Sequence, residues 1–162
     1  MRLQPSLLDR LIDDEPQRVV DPPRSRADEL RRVREGFRRD LEALLNTRRL
    51  PTSPPAGLER VRAALPHYGV EDFVGAPLAT PEQRADLARA LETTIQAFEL
   101  RFRAVTVTVL KGRDPLERLL RIRIEAAVHL SPDPGHAPEP VTFETALDPA
   151  IRSFSVESRH DG

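Results

Sequence analysis

Phe98-Glu99-Leu100-Arg101-Phe102-Arg103-Ala104-Val105-Thr106-Val107-Thr108-Val109 is the stretch that decides the fold, because the hydrophobic period changes inside it. Upstream, Leu87, Leu91, Ile95 and Phe98 recur at helical spacing. Downstream, Val105, Val107 and Val109 alternate with Thr106 and Thr108, the period of a half-buried strand. If the helix continues, Phe102 extends its stripe. If the strand starts early, Arg101 and Arg103 fall in phase with the valines, on the core face. Either way Glu99 and Arg101 sit beside large apolar groups, and a buried charge requires a partner. Pairing with each other, pairing with the first long helix and reaching a neighbouring subunit would each satisfy them.

Working backwards, Thr80 as N-cap, Pro81 at the first helical position and Gln83 form a capping-box start for this helix. An earlier long helix is expected from about Ser25 to Leu45. Ser25 can cap it, Asp28 suits its positive end, and Leu30, Val33, Phe37, Leu41 and Leu44 make its stripe. Its other face is dense with Arg, Asp and Glu and reads as solvated or partner-facing. A short helix is expected at Leu58 to Leu65, then an irregular stretch from Pro66 to Phe73. At the start of the chain, Ser6 can cap a short amphipathic segment to Asp13 in which Leu7, Leu8, Leu11 and Ile12 share a face. So short a segment does not hold alone. It must dock on its own domain or on a partner.

Working forwards, a turn is expected at Lys111 to Pro115. Leu120, Ile122, Ile124, Ala126, Val128 and Leu130 then alternate with Arg121, Arg123 and Glu125. A Pro-rich loop at 132–140 leads to a third strand, Val141 to Leu147, and Ile151 to Val156 fits a fourth. Helices followed by consecutive strands give an α+β fold, with helices on one face of a three- to four-stranded antiparallel sheet. The expected organisation is an N-terminal arm and linker at 1–24, one α+β domain at 25–156 and a flexible tail at 157–162.

Composition narrows the function. The 162 residues carry a formal net charge of -1, so no global field attracts nucleic acid or an anionic membrane. Lys111 is the single lysine among 25 basic residues, which suggests a GC-rich genome or Arg-rich interfaces. The absence of cysteine excludes disulfides and thiolate chemistry and fits a reducing compartment. Met1 to Asp14 carries three acidic residues and no apolar stretch with a cleavage site, unlike a secretory signal. No apolar run approaches the roughly 20 residues that span a bilayer. A cytoplasmic location without membrane insertion is the expectation.

Catalytic signatures are sparse. His67, His129, His136 and His160 show no metal-ligand spacing, and no phosphate-binding glycine loop or nucleophile elbow occurs. No metal and no cofactor is therefore expected. A glycosidase needs two carboxylates about 5–10 Å apart across a cleft. Glu99 is the one candidate acid, without a nameable opposite. A peptidoglycan hydrolase is kept as the alternative to a structural role.

Five segments, in order, resemble one family. They are Pro5 to Pro16, Asp40 to Arg49, His67 to Phe73, the helix at 81–98, and Phe98-Glu99-Leu100-Arg101 before valine-rich strands. Together they resemble TssE, the type VI secretion baseplate subunit, over roughly residues 3–147. That family is similar to a small wedge protein of contractile phage baseplates, often labelled lysozyme-like but regarded as structural. The family pattern at the junction is Glu-Pro-Arg. Here Leu100 replaces the proline that would stop the helix, which leaves the helix end and the placing of Arg101 open.

The resemblance implies a non-enzymatic baseplate subunit held by TssF and TssG, with TssK a further candidate partner. It also implies that the sheet offers an edge on which the first ring of TssB–TssC sheath is templated. The residues assigned to partner binding are Glu99, Leu100, Arg101 and Arg103 at the junction, with Leu7, Leu8 and Leu11 in the arm.

Overall fold

The helix ends at Phe98 and the strand begins at Phe102, so the change of period occupies three residues. A computed structural model describes residues 6–13, 16–19, 25–52, 55–62, 64–72, 80–110, 119–130, 137–148 and 153–158. In chain order these give α1 (Leu7–Leu11), α2 (Arg26–Asn46), α3 (Glu59–Arg62), a 3₁₀ turn (Leu65–His67) and α4 (Pro81–Phe98). The strands β1 (Phe102–Val109), β2 (Leu120–Val128), β3 (Glu139–Asp148) and β4 (Ser153–Ser158) follow. The architecture is α+β, with two long helices and a four-stranded antiparallel sheet in the order β1-β2-β3-β4.

The caps form as their residue types dictate. The Ser25 hydroxyl accepts from the Asp28 amide at 3.2 Å. At α4 the Thr80 hydroxyl accepts from the Gln83 amide at 3.3 Å, and the Gln83 side chain accepts from the Thr80 amide at 3.0 Å. Each cap satisfies amides that the first helical turn leaves unpaired.

One face of each element is buried. α2 contributes Val33, Phe37, Leu41, Leu44 and Leu45, and α4 contributes Leu87, Leu91 and Ile95. Opposite them, Val107, Ile124 and Phe143 lie in one cross-strand row, and Ile122, Thr145 and Val156 in the next. α4 packs chiefly on β1 and α2 on β4. Phe102 closes the centre, stacked on Phe143 at 6.0 Å and edge-on to Phe37 at 5.6 Å.

Arg103 corrects one expectation. The register slips between Phe102 and Val105, which pair with Val128 and Ala126. This bulge puts one extra residue in β1 and resets the alternation. Phe102 and Val105 are both buried, whereas Arg103 and Ala104 are exposed. Arg103 therefore leaves the core face that simple alternation assigns it.

The stretch after α3 is more ordered than its composition suggests. Val70 donates to the Thr47 carbonyl at 2.9 Å and accepts from Arg49 at 2.8 Å, tying it to the end of α2. The contact is close enough that Gly69, with φ 106°, has the Thr47 carbonyl where a Cβ would stand. β4 continues to Ser158, two residues into the stretch expected as tail. The expected turn at Lys111 to Pro115, residues 131–136, Phe73 and Ile151 lie outside the described residues.

Candidate functional site

Glu99 ends α4. Its amide donates to the Ile95 carbonyl at 2.8 Å, and its own carbonyl accepts from Phe102 at 3.1 Å. Its backbone has left the helix at φ −102° and ψ 80°. The helix thus stops here although Leu100 is not a proline. The side chain does part of the stopping: the Glu99 carboxylate accepts from the Arg101 amide at 3.2 Å and from Arg101 Nε at 2.7 Å. Arg101 Nη2 also pairs with Glu99.

The same guanidinium reaches α2. Arg101 Nη2 donates to Asp40 at 2.7 Å, and the guanidinium carbon lies 4.6 Å above the Phe37 ring. Both expected intramolecular pairings thus occur together, with each other and with the first long helix. Glu99 is 7% exposed, so its charge depends on these partners. Burial works against the Arg101 charge, but hydrogen bonding to Glu99 and then Asp40 outweighs it, and its pKa is raised. Tyr68, edge-on to Phe98 at 5.3 Å, has its pKa raised by burial and by the charges of Asp40 and Glu99.

The ion pairs continue outward. Arg39 donates to the other oxygen of Asp40 at 3.1 and 2.8 Å, and pairs with Asp9 of α1 at 2.8 Å. Asp9 in turn caps α1 with Ser6, whose hydroxyl donates to it at 2.6 Å. Glu99, Arg101, Asp40, Arg39 and Asp9 form one run of alternating charge from the junction to the arm. Gly36 makes room for Asp9, since a Cβ there would lie 2.8 Å from its carboxylate oxygen.

The arm is therefore held by its polar face. Leu8 and Leu11 are 54% and 82% exposed, and Ile12 is also exposed. These three members of the apolar face expected to dock are turned outward. The Leu7 side chain lies outside the described residues. Leu100 is 75% exposed and Arg103 is exposed too, so both stand beside the buried pair without joining it.

Asp40, Phe37, Arg39 and Asp9 belong to this site, and sequence reasoning did not place them in it. Asp40 and Asp9 do lie inside two of the family-like segments, which was the available signal. Among the described residues, no cluster of three or more His, Asp or Glu could hold a metal ion, and no helix is long and apolar enough to cross a membrane.

The family model described as baseplate wedge protein gp25 matches residues 31–133, from within α2 through the junction to beyond β2. A chain in a solved structure titled "The baseplate complex from the type VI secretion system" is also similar. It is 19% identical with a TM-score of 0.49, covering 75% of this chain and 98% of that one. No curated protein matches the chain.

Proposed function

Because the chain belongs to the family of the baseplate wedge protein gp25, we propose that it is a TssE-type subunit of a type VI secretion baseplate. In this reading it is a cytoplasmic, non-enzymatic part held by TssF and TssG, in reach of TssK, that joins the wedge to the first TssB–TssC sheath ring. The five family-like segments favour TssE over other members of the family.

The observation that carries an assembly role is the junction. A buried carboxylate and a half-buried guanidinium are set rigidly by Asp40 and Phe37. They present exposed Leu100 and Arg103 beside them. Preorganised groups of this kind lose little freedom on binding. The arm supplies a second patch, with Leu8 and Leu11 outward and Leu7 assigned with them. Residues 1–24 act as arm and linker to a domain that runs from 25 to the end of β4 at Ser158.

The hydrolase alternative fits the geometry poorly. Its candidate acid, Glu99, and the nearest partner carboxylate, Asp40, both bond one guanidinium. A general acid needs access to substrate, whereas the Glu99 carboxylate is buried and committed to Arg101.

Co-expression with the wedge and sheath proteins tests the reading. Leu100→Asp with Arg103→Glu should leave the fold intact and abolish retention of TssF and TssG. Unchanged retention would remove the junction as the contact, and release of soluble muropeptides by the purified chain would overturn the non-enzymatic reading.

A further inference from the structure

Asp40 serves the junction and the arm with different oxygens. One accepts from Arg39 Nε at 3.1 Å and Nη2 at 2.8 Å, and the other accepts from Arg101 Nη2 at 2.7 Å. Asp9 is divided in the same way. One of its oxygens accepts from the Ser6 amide at 3.2 Å and hydroxyl at 2.6 Å, which builds α1. The other takes Arg39 Nη1 at 2.8 Å, which docks α1 on α2. Arg39 thus spans two carboxylates with different nitrogens of one planar fork.

The docked arm depends on that fork. α1 has five residues, and a helix so short does not persist undocked. Leu8 and Leu11 point outward, so their burial does not hold it. The Asp9 side chain is 8% exposed, and a carboxylate so covered needs its cation. Hydrogen bonding to Asp40, ahead of that to Asp9, raises the Arg39 pKa against the opposing effect of burial. Arg39 is the most exposed member of the run, at 36%, and has the most room to turn.

While Arg101 holds its oxygen, Asp40 offers Arg39 only the other one. If Arg101 lets go, Asp40 has two oxygens for the Arg39 fork, the favoured geometry for this pair. Turning into it takes Nη1 away from Asp9. The Asp40 charge, no longer shared with Arg101, also repels the Asp9 carboxylate. Both effects push α1 off α2. Loss of the Asp40 charge acts the other way, because Arg39 is left to Asp9 and a like charge near Asp9 disappears.

We propose that the arm and the junction are linked through Asp40 and Arg39, so that drawing Arg101 away from Asp40 releases α1 from α2. The linkage is reciprocal by thermodynamic necessity, so release of α1 also loosens Arg101. In the baseplate reading, on which this use of the linkage rests, a partner that takes Arg101 at the junction also frees the arm for its own contact.

Amide exchange on the full purified chain tests this. The reporters are Arg10 and Ile12, whose N–H groups donate to the Ser6 and Leu8 carbonyls within α1, and the β2 amides register global opening. Arg101→Gln should speed exchange at both reporters by about fivefold or more, whereas Asp40→Asn should not speed it. Adding Arg101→Gln to Asp40→Asn should leave the reporters unchanged, because the competing carboxylate is gone. Faster exchange in Asp40→Asn, or an Arg101→Gln effect that persists without Asp40, overturns the linkage, since general loosening then explains both. If Arg101→Gln does not fold, Asp9→Asn reads the linkage from the other end. The Arg101 Nε–H, followed by NMR, should then exchange about fivefold faster, and an unchanged rate overturns the linkage. No partner enters these measurements, so the linkage can fail with the baseplate role standing. Failure of the unmodified chain to retain TssF and TssG removes that role and leaves the linkage standing.

Discussion

The Arg101 guanidinium donates to Asp40 at 2.7 Å, although the two residues are 61 positions apart in the chain. This contact joins the end of α4 to the middle of α2. Asp40 also accepts from Arg39, so one carboxylate serves two cations and couples the junction to the arm.

Removing either end of that contact leaves a partly buried charge short of a partner. Arg101→Ala and Asp40→Ala should each lower stability by about 1.5–3 kcal/mol. In urea denaturation the pair should show a coupling of about 0.5–3 kcal/mol in a double-mutant cycle. Additive effects would mean the contact contributes nothing. Arg101→Lys should not restore stability, because an ammonium cannot span Glu99 and Asp40 with a planar fork.

Docking of the arm should depend on pH. Burial raises the Asp9 pKa, but hydrogen bonds from Ser6 and Arg39 and the Arg39 charge outweigh it, and the net shift is downward from 3.8. A carboxylate depressed in the folded state stabilises above its unfolded pKa, and that contribution fades as pH falls through the folded value. Protection of α1 amides should therefore hold at neutral pH and decline below about pH 4. In Asp9→Asn the protection should be weak at neutral pH and show no such decline. Equal pH profiles for the two proteins would sink the assignment.

Gly36→Ala separates helix from arm. Alanine favours the interior of α2 by about 1 kcal/mol over glycine. Its Cβ would meet Asp9 at 2.8 Å. Global stability should hold or rise, while limited proteolysis within α1 speeds up. Unchanged cleavage would show that the arm does not need the glycine.

Gly69→Ala should be the costlier glycine change. Its φ of 106° is strained for any residue with a Cβ, and that Cβ would run into the Thr47 carbonyl. A loss of about 1–3 kcal/mol is expected, lowering the Tm by roughly 2–4 °C per kcal/mol. A Tm within 1 °C of the parent, by about the same scale, would mean that the loop relaxes freely.

Much of the fold was legible because its causes are local. Ser25 and Thr80 bond amides three residues on, so the helix starts follow from short spacings. Ile122, Ile124, Ala126 and Val128 are buried because strand side chains alternate, and the sequence alternates with them. Glu99 and Arg101 were recognisable as charges in need of partners, because apolar residues flank them on both sides.

The sequence alone therefore determined the elements, their order and the position of the junction, since each follows from contacts within a few residues. Tertiary structure alone decided that Asp40 is the second partner of Arg101 and that Arg39 carries the run of charge to Asp9. It also decided that a bulge turns Arg103 outward. Those outcomes depend on how α2 and α4 cross the sheet and on one residue of register. A helix crossing brings together side chains far apart in the chain, and a single slip in register reverses which face a side chain meets.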